Sequence, residues 1–152
     1  GHCLGGQLMA KALGGTVTRN PVKEIGWGEV KQADNPIAVR WLKEVPQRFN
    51  AFHWHGETFS LPPDATPILS SMHCPNQAYV IGKHLGMQCH VEMTRELIAS
   101  WCENGIEEIH QSAHSPAVQN PEAMQVDIES KLNALHRAAD ALYSEWLKGL
   151  KR

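Results

Sequence analysis

The chain has 152 residues, 42% of them hydrophobic, and a formal net charge of -2 at pH 7. It can therefore bury one core, but it lacks the basic surface that binding to nucleic acid or an acidic membrane needs. No stretch reaches the roughly 18 apolar residues of a membrane-spanning helix. Its four cysteines include no close Cys-x-x-Cys pair, so a reduced, cytoplasmic setting fits best.

The chain begins with a cysteine between glycines, in the order Gly1-His2-Cys3-Leu4-Gly5. A sharp turn from a strand into a helix needs small residues beside its tip, and it exposes the central side chain at a helix N-terminus, which favours an anion. The Leu4 N–H would then point at an oxyanion formed on a carbonyl that Cys3 attacks. Taken alone, the pattern also fits a buried cysteine in a tight turn.

Short helices and strands follow, separated by glycine and proline. The predicted elements are a helix at 7–13, strands at 16–18 and 23–31, a helix at 36–45, strands at 49–55, 67–72, 78–82 and 87–89, and a helix that ends at Asn104-Gly105. Asn35 and Thr94 are predicted N-caps, and Asn20-Pro21 is a predicted turn.

The chain is interpreted as a single domain with a helical C-terminal part. Residues 1–110 form the predicted catalytic core portion, the polar segment 111–120 a linker, and 121–152 an amphipathic helix. The apolar stripe of that helix is Ile128, Leu132, Leu135, Ala139, Leu142 and Trp146. Packing on its own domain is favoured over a coiled-coil dimer, although the spacing leaves a homo-oligomer open.

A second motif, Gln88-Cys89-His90-Val91-Glu92, follows an apolar run. His90 and Glu92 are two residues apart, so in an extended segment their side chains project to the same side. A nucleophilic cysteine needs a base, and the base needs an orienting carboxylate. The alternative is three unrelated residues: a core cysteine, a turn histidine and a solvated glutamate.

With both motifs present, the chain resembles a class I glutamine amidotransferase domain, similar to the glutaminase part of GMP synthase. That family carries Gly-x-Cys-x-Gly-x-Gln at its nucleophile and Gln-x-His-Pro-Glu at its base, and here Val91 replaces the proline. The resemblance runs from Gly1 to about Trp101. It implies an α/β fold, a mostly parallel sheet flanked by helices, with an antiparallel element at 67–89.

The resemblance also implies the chemistry. Cys3 would attack the side-chain amide of glutamine, His90 would move the proton, Glu92 would orient His90, and the Leu4 N–H would serve the oxyanion hole. In the family the nucleophile turn is preceded by strands, helices and a glycine-rich loop that donates the second oxyanion N–H. We therefore expect the chain to be the C-terminal part of a domain, with the N-terminal segment missing.

Gln7 and His55 are weaker candidates, for binding the glutamine substrate. Gln7 completes the first motif, and His55-Gly56-Glu57 resembles the last three positions of a Ser-His-Gly-Asp-like family segment. His53 and His55 alternate around Trp54 and could share a face, but no third ligand lies at a recognisable spacing. We therefore predict neither a metal nor a cofactor.

The expected partners are glutamine and a synthetase domain or subunit that accepts the ammonia. Two other functions stay open on the sequence. A γ-glutamyl peptide hydrolase could use the same Cys-His-Glu triad, and a non-catalytic binding module could keep the fold. Turnover of γ-glutamyl dipeptides alone would favour the hydrolase, and the presence of all three triad residues argues against the binding module.

Overall fold

The computed structural model describes residues 1–150, which form an α/β fold of helices packed around a sheet. The helices are α1 (Leu4–Ala12), α2 (Pro36–Trp41), α3 (Arg95–Asn104), α4 (Ile106–Gln111), α5 (Pro121–Gln125) and α6 (Ile128–Lys148). The strands are β1 (Val17–Gln32), β2 (Arg48–Phe59), β3 (Thr66–Ser71), β4 (Ala78–Ile81), β5 (His84–Met87) and β6 (Ala117–Val118).

The prediction of a mostly parallel sheet is wrong for the described residues. The strands lie in the order β2-β1-β3-β4-β5, and every neighbouring pair in that order is antiparallel. Parallel pairing occurs where β6 joins β1 and where His2 bridges Met87. Gly82, with a φ of 56°, and Lys83 join β4 to β5 directly, whereas a parallel pair needs a crossover of a dozen or more residues.

Strand β1 is longer than predicted, because it continues through the Asn20-Pro21 pair instead of turning there. Its register with β2 shifts between Arg19 and Glu24. Pro21 has no N–H to give to the ladder, so a bulge accommodates it within the strand. After the bulge, Glu24 lies directly opposite His55 on β2.

Both predicted N-caps are confirmed. The Asn35 side chain accepts a hydrogen bond from the Ala38 N–H, and the Thr94 side chain accepts one from the Leu97 N–H. Helix α1 differs from its prediction, since it begins at Leu4 and not at residue 7. Cys3 is therefore its N-cap residue.

Residues 111–120, predicted as a linker, are part of the packed fold. They contain β6, which pairs with β1, and the Gln119 side chain accepts a hydrogen bond from the Trp27 N–H at 2.8 Å. The predicted C-terminal helix is divided into α5 and α6, with Asp127 between them in a left-handed conformation, φ 52°. Residues 151 and 152 of that prediction lie outside the described residues.

Helix α6 packs on its own domain, as expected. Its buried residues are Ile128, Leu132, Leu135, Ala138, Ala139 and Leu142. This stripe joins the main core cluster together with Phe52 of β2 and Ile98 of α3, and the burial of each large side chain contributes about 1.5–3 kcal/mol. None of the helices in residues 1–150 has both the length and the apolar character needed to cross a bilayer.

Candidate active site

Cys3 lies in a strained position at the start of α1. Its φ of 44° is in the left-handed region, which costs a residue with a side chain about 1–3 kcal/mol. The two preceding residues run alongside β5: Gly1 N donates to Leu85 O at 2.8 Å, and Met87 N donates to Gly1 O at 2.9 Å. Strand pairing on one side and the helix on the other thus fix the backbone of Cys3.

His90 is held by backbone pairing with β2. His90 N donates to Phe52 O at 2.8 Å, and Phe52 N donates to His90 O at 3.1 Å. The His90 Nδ1 atom lies 2.6 Å from Glu92 Oε1, while Glu92 Oε2 accepts from Val91 N at 3.0 Å. The structure therefore brings the imidazole and the carboxylate into contact.

The electrostatics of this pair favour opposite charges. Burial alone would lower the pKa of His90, but the adjacent Cys3 thiol and the Glu92 carboxylate outweigh it and raise that pKa. Burial would raise the pKa of Glu92, but the hydrogen bond from His90 and the nearby positive charge lower it. The arrangement stabilises an imidazolium beside a carboxylate.

Cys3 and His90 share an open cleft of about 510 Å³. Its lining residues are His2, Cys3, Leu4, Trp54, His90, Trp101, Asn104 and Gly105. The Trp101 ring meets the His90 imidazole edge-on at 5.0 Å. The His90 Nε2 atom is buried without a hydrogen-bond partner among residues 1–150, so it is the ring nitrogen left to exchange protons with a group in the cleft.

Leu4 is also brought to this cleft, whereas Gln7 is not among its lining residues. Leu4 is the first residue of α1, and the first N–H groups of a helix have no acceptor within it. Gln7 is buried and donates to Gln88 Oε1 at 3.0 Å, and Gln88 in turn donates to Cys3 Sγ at 3.5 Å. The structure therefore gives Gln7 an indirect contact with the thiol, and its role in binding substrate stays a prediction.

His55 is not among the residues that line the Cys3 cleft, and its side chain is only 1% exposed. Its Nδ1 is 2.9 Å from Glu57 O, and its Nε2 is 3.0 Å from Glu24 Oε2. Alternate residues of a strand face the same side, so His53 and His55 share the face opposite Trp54. His55 is therefore part of a buried pair with Glu24, and its role in binding the substrate of Cys3 stays a prediction.

Two groups of side chains have metal-ligating chemistry and spacing in the described residues. One consists of His2, His90 and Glu92. The two histidines line the Cys3 cleft, and the carboxylate of Glu92 contacts both of them. The other consists of Glu24, His53 and His55, which are all buried. In either group, the atoms available to bind a metal are the imidazole nitrogens and the carboxylate oxygens.

Sequence reasoning missed two residues that support the site, His2 and Tyr143. His2 Nδ1 lies 3.3 Å from Glu92 Oε2, and the Tyr143 hydroxyl lies 3.0 Å from His2 Nε2. Glu92 thus contacts a histidine with each of its oxygens. No local pattern links Tyr143 to His2, because 141 positions separate them. His2 adjoins Cys3 in the first motif, and this adjacency is the one feature of the sequence that could have indicated a role for His2 in the site.

Alkylation with limiting iodoacetamide is expected to modify Cys3 before the other cysteines. Cys74, Cys89 and Cys102 are buried, and burial raises the pKa of each of these thiols, which makes the reactive thiolate scarce. Cys3 is partly exposed in the cleft. Peptide mapping by mass spectrometry after brief reactions at pH 7 and pH 9 would give the order of labelling.

Protein unfolded in urea is the control for this experiment, and all four cysteines should then react at similar rates. Labelling of Cys74 or Cys89 ahead of Cys3 in the folded protein would contradict the assignment of Cys3 as the reactive thiol.

Comparison with known proteins gives a family match over most of the chain. The family model described as glutamine amidotransferase class-I matches residues 1–108. A glutamine amidotransferase-like protein of Salmonella typhimurium is 31% identical over 110 residues, which cover 72% of this chain and 46% of the relative. The glutamine-hydrolysing GMP synthase of Aeropyrum pernix is 34% identical over 108 residues, which cover 66% of this chain and 20% of that protein.

A solved structure is similar over the full length of the chain. The crystal structure of a glutamine amido transferase from Methylobacillus flagellatus is 43% identical with a TM-score of 0.93, covering 100% of this chain and 63% of that one. The chain spans less than half the length of the two curated relatives.

Proposed function

The chain belongs to the class-I glutamine amidotransferase family, and from that premise we propose that Cys3 hydrolyses the side-chain amide of glutamine to glutamate and ammonia. The observation that carries this proposal is the His90–Glu92 contact of 2.6 Å at the cleft that contains Cys3. A thiol, a base and an orienting carboxylate are the groups that acyl transfer through a thioester requires.

In the first step, Cys3 Sγ attacks the amide carbon of glutamine. His90 Nε2 holds the thiol proton, which the raised pKa of His90 supports. The amide oxygen becomes an oxyanion, to which the Leu4 N–H at the start of α1 would donate. One such donor contributes about 10²–10³ in rate.

The tetrahedral intermediate then loses ammonia. The carbon–nitrogen bond breaks, and the proton on His90 passes to the departing nitrogen, which leaves a thioester on Cys3. Glu92 keeps the Nδ1–H of His90 in place, so that Nε2 is the atom that exchanges the proton.

Water releases glutamate in the last step. His90 Nε2 accepts a proton from the water as its oxygen attacks the thioester carbon. The carbon–sulfur bond breaks and glutamate leaves. The Cys3 thiolate and the protonated His90 are thereby restored. The cycle thus consumes one water for each glutamine and restores all three residues.

We propose further that the ammonia passes to a synthetase domain or subunit. One of the relatives is a glutamine-hydrolysing GMP synthase, whose name joins glutamine hydrolysis to a synthetic reaction. The cleft beside Cys3 is open, and such a partner would cover it and receive the ammonia.

The test is an assay of the purified full-length protein with free glutamine and, separately, with γ-glutamyl dipeptides. We expect ammonia and glutamate in equal amounts from glutamine, with a faster rate when a synthetase partner is added. Turnover of the dipeptides alone would replace this proposal by a γ-glutamyl hydrolase. Turnover of neither substrate, with or without partner, would indicate a non-catalytic module of the same fold.

A further inference from the structure

A second group of functional side chains lies on the opposite face of β2 from Trp54. Glu24, His53 and His55 are 3%, 1% and 4% exposed, and one ligand atom from each lies within 4.8 Å of the other two. The catalytic steps proposed for Cys3 use none of them. Glu24 is brought to the histidines by the antiparallel register, which pairs it with His55 across 31 positions of sequence.

Hydrogen bonds to backbone carbonyls fix one nitrogen of each imidazole. His53 Nε2 lies 3.2 Å from Gly28 O, and His55 Nδ1 lies 2.9 Å from Glu57 O. A carbonyl oxygen only accepts hydrogen bonds, so each of these nitrogens carries a proton. In a neutral ring the other nitrogen then has a lone pair. That nitrogen is Nδ1 in His53 and Nε2 in His55.

Both of these nitrogens are buried without a hydrogen-bond partner among residues 1–150. His55 Nε2 lies 3.0 Å from a carboxylate oxygen of Glu24. A proton or a metal ion on this nitrogen would make the contact attractive, whereas a bare lone pair would face the negatively charged oxygen. Ser71 Oγ and Gln77 Nε2 donate to Glu24 at 3.1 and 2.8 Å and hold its orientation. Three groups that can donate electron pairs thus converge on one buried point, an arrangement that a bound cation would stabilise.

We propose that Glu24, His53 and His55 bind a divalent transition-metal ion, with Zn²⁺ the ion best suited to this ligand set. Two imidazoles and one carboxylate are the three protein ligands of one known type of zinc site. A metal-binding histidine ordinarily donates its other N–H to a carbonyl or carboxylate, and both histidines have such an acceptor here.

The surroundings provide access and room for the ion. An open cleft of about 500 Å³ is lined by Glu24 and His53, so water can reach the group and supply a fourth ligand. A β-carbon at Gly28 would lie 2.9 Å from His53 Cδ2, so only glycine at this position admits the ring. Donor atoms around tetrahedral zinc lie about 3.4 Å apart. The Glu24–His55 pair, at 3.0 Å, is near that spacing.

The test uses the Cys3→Ala/His90→Ala variant, because Cys3, His2, His90 and Glu92 could bind a metal themselves. The protein is freed of metal with a chelator and dialysed against Zn²⁺ or Co²⁺, and bound metal is measured by mass spectrometry. We expect one ion per chain and, for Co²⁺, visible absorption of a four-coordinate site. Glu24→Gln and His53→Ala should each weaken binding by more than about tenfold, whereas His110→Ala, at an exposed histidine, should leave it unchanged.

A second measurement does not depend on how these variants fold. Long-range ¹H–¹⁵N spectra of the Cys3→Ala/His90→Ala protein should show neutral His53 and His55 rings, whose unprotonated nitrogens shift when Zn²⁺ is added. A doubly protonated His55 that does not respond to Zn²⁺ would make the group a buried ion pair and overturn the proposal. Absence of stoichiometric binding, or binding that survives both Glu24→Gln and His53→Ala, would also overturn it. Because the catalytic thiol and base are removed, the result is independent of glutaminase activity.

Discussion

Replacing His90 with alanine is expected to lower kcat for glutamine hydrolysis by about 10³-fold or more, nearly as much as Cys3→Ala. Without the imidazole, Cys3 loses the base that takes the thiol proton and returns it to the departing ammonia. The Cys3→Ala/His90→Ala double variant should be within about tenfold of the single variants, because residues that act as one unit are not additive. Steady-state rates of ammonia release would measure all three.

The controls for this prediction separate catalysis from folding. His84→Ala replaces an exposed histidine of β5 and should keep the full rate, and Glu92→Gln should keep the fold and lose a smaller part of the rate than His90→Ala. Thermal unfolding would show that each variant is folded. A His90→Ala enzyme with a near-normal rate would end the hypothesis that Cys3, His90 and Glu92 act together.

Two adjacent glycines of α1 are expected to respond oppositely to alanine. A β-carbon at Gly6 would overlap the carbonyl oxygen of Met87 and lie 3.0 Å from its nitrogen, whereas one at Gly5 would meet nothing within 4 Å. Gly6→Ala should therefore lower the free energy of unfolding by about 1–3 kcal/mol. It should also push α1 away from β5 and displace Cys3, and a shift of about 1 Å can cost 10²-fold in rate.

Gly5→Ala is the matched control, since it makes the same change one residue earlier on the exposed side of the helix. It should raise the free energy of unfolding by about 0.5–1 kcal/mol, because alanine is the better helix former, and it should leave the rate nearly unchanged. Urea denaturation and kcat would be measured for both variants. Equal responses of the two glycine variants would contradict the close packing of α1 on β5.

The sequence predicts best those features that are local. The caps at Asn35 and Thr94 depend on contacts three residues away, and both were found. The spacing of His90 and Glu92 correctly indicated that their side chains could meet. The family resemblance is confirmed over residues 1–108. It could be found from the sequence because its two motifs, around Cys3 and around His90, are each contiguous.

The features that were missed depend on contacts between distant segments. A short connection such as Gly82-Lys83 makes the two strands that it joins antiparallel. Which strands lie next to each other elsewhere in the sheet depends on the packing of the whole sheet. The contact of His55 with Glu24 was not predicted, because it is set by strand register after a bulge at Pro21. Register is fixed by which faces are buried, so no spacing within one segment could have revealed the pair.

The pairing of Gly1 and His2 with β5 has a consequence for the order in which the protein folds. The contact between Gly1 and Leu85 closes a loop of 84 positions, for which the chain-entropy cost is about 4 kcal/mol. Contacts of such high sequence separation form after local ones such as the β4–β5 hairpin. Cys3 is next to these residues, so the nucleophile reaches its base only when the far ends of this loop have come together.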